Sequence, residues 1–111
     1  MSRSVPVDSV IALARALVRI PSRAGEDDLA PVARCVEHWF VSRGVRHRVL
    51  RADSGAPLGI YAQVQGGRGA GPWTVLNATL DTAGFGDLDS WRHPPTGAFV
   101  EDGWLSGRGS A

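Results

Sequence analysis

The side chains in this 111-residue chain that could ligate a metal or move a proton are three histidines, one cysteine and eleven acidic residues. His38, His47 and His93 stand too far apart along the chain to form a histidine pair with metal-site spacing. Cys35 is the only cysteine, so no intramolecular disulfide can form and no cysteine pair can supply half of a structural zinc site. All twelve basic residues are arginine, which excludes Schiff-base or lysine-nucleophile chemistry within the chain. The glycines from Gly66 to Gly71 lack the third position of a dinucleotide fingerprint, because Pro72 stands there, and they read as a turn between strands. Asp81 is the remaining candidate. It either caps the loop that begins at Thr82 or keeps a place in a site.

Composition sets the frame for these groups. The chain has the length of one small domain, 43% hydrophobic and 21% charged residues, and enough apolar material for a core. A net charge of +1 is too small for the broad positive field that nucleic-acid or anionic-membrane binding needs, so neither partner is expected. Arg43, Arg46, Arg48 and Arg51 form a local basic run around His47, which strand alternation spreads over two faces. Asp8, Arg15 and Arg19 interrupt the apolar residues near the start, and no apolar stretch reaches the length of a bilayer span. With a lone cysteine, the expected setting is cytoplasmic.

The elements that must position these residues follow from periodicity. Val10, Leu13, Ala14 and Leu17 recur at helical spacing over 8–19, with Asp8 as the expected N-cap and Pro21 as the stop. Leu29, Val32, Val36, Trp39 and Phe40 make the apolar stripe of a second helix, with Cys35 beside it as a small core residue and His38 as a flanking one. Glu26, Asp27 and Asp28 are expected on its first turn, and Gly44 is expected to close it. Strands are expected over 45–51, 59–65 and 73–80. A breaker-rich functional loop then runs over 82–98, carrying His93 as a loop hydrogen-bonding residue. Asp102 and Gly103 between Phe99-Val100 and Trp104-Leu105 signal a hairpin. Two helices can cover a mixed sheet only in part, so the expected fold class is α/β: an incomplete αβα-type catalytic domain over 1–111 with two N-terminal helices and a C-terminal hairpin.

The order of motifs resembles a known family. Leu76-Asn77-Ala78-Thr79-Leu80-Asp81-Thr82, then Gly86-Asp87, Trp91 and His93-Pro94-Pro95, then Val100-Glu101-Asp102-Gly103-Trp104-Leu105 and Gly107-Arg108-Gly109-Ser110-Ala111 carry the likeness. They resemble the zinc hydrolases of the aminoacylase, acetylornithine deacetylase, succinyl-diaminopimelate desuccinylase and carboxypeptidase G family. Leu17 to Ser22 and Gly25-Glu26 resemble the opening of the same family. The likeness covers the first quarter to third of a typical member. It implies zinc-dependent hydrolysis of amide bonds in N-acyl amino acids or peptides, by a metal-bound water whose proton a glutamate shuttles.

Two departures bear on that activity. The family pattern Gly-His-x-Asp reads Ala78-Thr79-Leu80-Asp81 here, so Thr79 takes the place of a zinc-binding imidazole and Asp81 keeps a vestigial place behind it. In the family, the segment corresponding to Gly107–Ala111 runs into a metal-bridging aspartate, and this sequence stops before that position. The expectation is a fragment that binds no cofactor and is inactive alone. It would persist as a noncatalytic remnant or interaction module, or as one chain of a split hydrolase. Its partner would be a complementary polypeptide or a second copy held through an uncovered sheet face.

Overall fold

The computed structural model describes residues 6–110; Ala111, the last residue of the Gly107–Ala111 motif, lies outside them. The chain forms two compact units, one of the residues up to Asp28 together with those from Asp81 onward, the other of Leu29–Leu80.

In the first unit, α1 (Val7–Val18) follows the helical spacing of its apolar residues and buries Val18. Asp8 does not cap it. Pro6 occupies the cap position without a side-chain hydrogen bond, and Asp8 falls one residue inside, where its charge suits the first turn. Past the helix, the Thr82 amide donates to the Ser22 carbonyl at 2.8 Å and the Ala24 amide donates to the Thr82 carbonyl at 2.9 Å. This bridge runs parallel. The expected hairpin forms from β3 (Phe99–Glu101) and β4 (Trp104–Ser106), paired antiparallel. Asp102 and Gly103 turn it with φ of 52° and 80°, the two positive values that match the twist of a tight hairpin.

Glu26 to Asp28 precede the second helix instead of entering it, and the helix has no acidic residue in its first turn. A stronger partner takes them. Asp27 accepts from Arg23 through Oδ2 at 2.8 Å and Oδ1 at 2.9 Å, and Glu26 sits 2.9 Å from the same guanidinium. The Arg23 hydrogen bonds lower the Asp27 carboxyl to about 2. A depressed carboxyl stabilises the fold above its unfolded value of about 3.9 and stops doing so as pH falls toward the folded value. Acid titration followed by circular dichroism is therefore expected to show a loss of stability between about pH 4 and pH 2 that Asp27→Asn removes. An identical acid profile in the variant would contradict this pairing.

In the second unit, α2 (Ala30–Ser42) carries Pro31 in its first turn and buries Val32 and Ala33. Gly44, at φ 66°, closes it while the Val45 amide donates to the Phe40 carbonyl at 2.9 Å. The strands β1 (His47–Arg51) and β2 (Pro57–Ala62) pair antiparallel with Val49 opposite Ile60, and α2 packs on both.

The class is α/β, with two helices and four strands in two antiparallel two-stranded sheets. The expected third strand over 73–80 has no ladder partner among the described residues. Val75 is 87% exposed and Leu76 92%, although successive strand residues face opposite ways. A strand apolar on both faces is stable only between neighbours that cover both, and neither α2 nor the β1–β2 pair does so. The buried hydrophobic residues among those described are Val18, Val32, Ala33 and Ala98.

Candidate functional site

Asp81 is held by its neighbour. It immediately precedes Thr82, whose backbone is fixed by Ser22 and Ala24, and whose side chain lies against Gly109: a Cβ built on that glycine would stand 2.7 Å from Thr82 Cγ2. Three motifs that were far apart in sequence thus meet at Thr82: the segment after α1, the Asp81-Thr82 pair, and Gly107-Arg108-Gly109. Asp81 itself is exposed. Thr79, the residue in the histidine's place, belongs to the other unit.

The Gly107–Gly109 segment is anchored from below. The Arg108 amide donates to the Pro95 carbonyl at 2.8 Å, and the Arg108 guanidinium lies 4.9 Å over the Trp91 ring. Trp91 Nε1 donates to the Phe85 carbonyl at 2.7 Å. The guanidinium of Arg108 also donates through a terminal nitrogen to the Phe85 carbonyl at 3.5 Å, while its Nε is buried with no hydrogen-bond partner among the described residues. The Trp91–Arg108 stack and its Phe85 acceptor join residues six to twenty-three positions apart and leave no periodic signal in the sequence, whereas the Arg23 cluster joins neighbours three and four apart and is hidden because the same acids also suit a helix's first turn.

The histidines go to three different environments. His93 Nε2 lies 3.2 Å from Glu101 Oε2, and its ring stacks on Phe99 at 4.3 Å, tying the loop to the hairpin. His47 lies in β1, stacked on Phe40, with Nδ1 2.9 Å from the Val45 carbonyl and Nε2 3.6 Å from Glu37. His38 is exposed on α2. Cys35 is partly buried, and burial pushes its thiol up, away from reactivity.

Among the described residues, no group of three or more His, Cys, Asp or Glu side chains could hold a metal ion. A catalytic zinc takes three protein ligands of imidazole, carboxylate or thiolate type plus an open position. The residues present do not fit the ion that the motifs imply. Among the described residues, no helix is long and apolar enough to cross a membrane.

Comparison with known proteins bears on identity. No protein-family model matches the chain. It is similar to a succinyl-diaminopimelate desuccinylase of Cereibacter sphaeroides, 34% identical over 106 residues that make up 96% of this chain and 26% of the relative. The enzyme of the same name from Beijerinckia indica is 35% identical over 107 residues, 94% of this chain and 27% of the relative. That from Methylobacterium nodulans is 31% identical over 104 residues. The chain therefore spans about a quarter of the length of the curated relatives it matches. With nearly every residue inside those matches, the chain is a fragment of the succinyl-diaminopimelate desuccinylase family.

Proposed function

We propose that this chain is the opening part of a metal-dependent amide hydrolase catalytic domain and performs no hydrolysis by itself. The donor set carries the reading: a zinc site needs about three converging ligands, and Asp81 is the one residue here that matches a family site position. Thr79 supports it further, since a neutral hydroxyl is a poor zinc ligand beside imidazole. Asp81 then acts as a vestigial site residue whose structural work is to lead the chain into the Thr82 bridge. The substrate class that goes with this reading is an N-acyl amino acid or peptide amide, in a cytoplasmic setting.

The test is an amidase assay of the purified chain against N-succinyl and N-acetyl amino acids with zinc added. Turnover equal to buffer is expected. A zinc-dependent rate that scales with chain concentration and survives removal of trace full-length hydrolase would overturn the proposal.

A second reading is favoured by the bare 73–80 segment. In it the chain is one half of a two-polypeptide hydrolase whose other half supplies the missing ligands and covers Val75 and Leu76.

A further inference from the structure

Charge is divided unevenly along the chain. The unit formed by 29–80 holds six arginines against Glu37 and Asp53, a net +4 in a chain whose total is +1. Two of those arginines are engaged: Arg43 lies over the Trp39 ring, and Arg51 donates to the Gly55 carbonyl at 3.0 Å. Neither Arg46 nor Arg48 has a side-chain hydrogen bond or ion pair among the described residues. Both are exposed, and both line one open cavity of about 650 Å³. Two aromatic rings line the same cavity, Tyr61 at 54% exposure and Trp73 at 59%. Among the described residues that line it, none is acidic.

The strand register brings these groups together. Arg48 stands directly opposite Tyr61 in the β1–β2 pair, and opposite residues share a face. Arg46 precedes Arg48 by two, the spacing that returns a side chain to the same face. His47, between them, turns the other way and stacks on Phe40 of α2. The Tyr61 hydroxyl donates to Gln63 at 2.9 Å, which fixes the ring beside the cavity.

We propose that this cavity binds a mononucleotide, with its base against Tyr61 and Trp73 and its phosphates on Arg46 and Arg48. The chemistry selects the class. A guanidinium meets phosphate oxygens with paired N–H donors, and a flat base stacks on aromatic rings whatever its identity. An acidic peptide would satisfy the arginines but set carboxylates against the negative faces of the rings. A polynucleotide gains affinity from each phosphate neutralised along a track, whereas two unpaired guanidinium groups serve a short ligand. The volume lies within the range of about 300–1,000 Å³ usual for small-molecule sites. The proposal is independent of the hydrolase reading, because Thr79 and Asp81 do not line this cavity.

Isothermal titration calorimetry of the full chain in about 0.1 M salt, where distant surface charges are screened, tests this with ADP, adenosine, pyrophosphate and a single-stranded oligoadenylate. One ADP is expected per chain, bound at least about tenfold more tightly than adenosine or pyrophosphate, because each of those engages half of the site. Arg46→Gln combined with Arg48→Gln is expected to weaken ADP by at least about tenfold, and Trp73→Leu to do the same. These positions are exposed, so the variants keep the fold, as circular dichroism would verify. Arg34→Gln removes the same charge from the exposed surface of α2 and is expected to leave ADP binding within about twofold. The proposal is overturned by an absence of saturable ADP binding, by pyrophosphate binding as tightly as ADP, or by oligoadenylate binding more tightly than ADP. ADP binding that survives either cavity variant overturns it as well.

Discussion

Gly107→Ala is expected to destabilise the hairpin-bearing unit by about 1–3 kcal/mol, the usual cost of forcing extra volume into a packed site. A Cβ at this position would run into Val18 Cγ1 and stand 3.0 Å from the Pro95 carbonyl oxygen. Neither neighbour can easily give way. Val18 is a β-branched residue in the last turn of α1, where one rotamer dominates, and it is among the few buried hydrophobic residues described. The Pro95 carbonyl is committed to the Arg108 amide at 2.8 Å. Thermal unfolding followed by circular dichroism checks this against Gly71→Ala, whose added Cβ meets nothing within 4 Å. The control is expected to stay within about 0.5 kcal/mol of the parent. Trimming the obstacle should restore part of the loss, so Gly107→Ala combined with Val18→Ala should cost less than the sum of the two. Additive losses would show that the glycine is not needed for this approach.

Ala98→Val is expected to be at least as damaging. Ala98 has no exposed surface and a φ of 51°, while its carbonyl accepts from Arg15 Nε at 3.1 Å. A β-branched side chain in the left-handed region carries a backbone cost of about 1–2 kcal/mol. Overpacking adds to this, because the site holds a methyl group and no more. Ala98→Gly separates the two effects. It removes the backbone cost and leaves only a small void, so its melting temperature should lie well above that of the valine variant. Equal melting temperatures would mean that neither the confinement nor the backbone geometry at residue 98 matters to stability.

These sites show what the sequence made legible. Both helices were readable because their apolar residues recur at helical spacing, and the hairpin because Asp102-Gly103 is a local turn signal. The β1 and β2 strands came out within a few residues of their expected ends. What depends on which of two competing partners wins is not readable in the sequence. Asp8 reads as a cap and Glu26 to Asp28 as a first turn, yet Pro6 takes the cap position and Arg23, three and four residues before them, claims Glu26 and Asp27. The 73–80 segment has the composition of a central strand, but a strand exists only with neighbours, and the described residues supply none. At the site, the sequence showed which residue stands in the histidine's place and where Asp81 falls. The convergence of three motifs on Thr82 and the Trp91–Arg108 stack needed the fold.

The central claim is that these residues belong to a zinc-hydrolase fold without assembling a zinc site of their own. Equilibrium dialysis of the isolated chain against micromolar zinc at neutral pH tests it most directly. The account predicts well under one zinc retained per chain, with Asp81→Ala giving the same value as the parent. One tightly held zinc per chain that Asp81→Ala releases would contradict it.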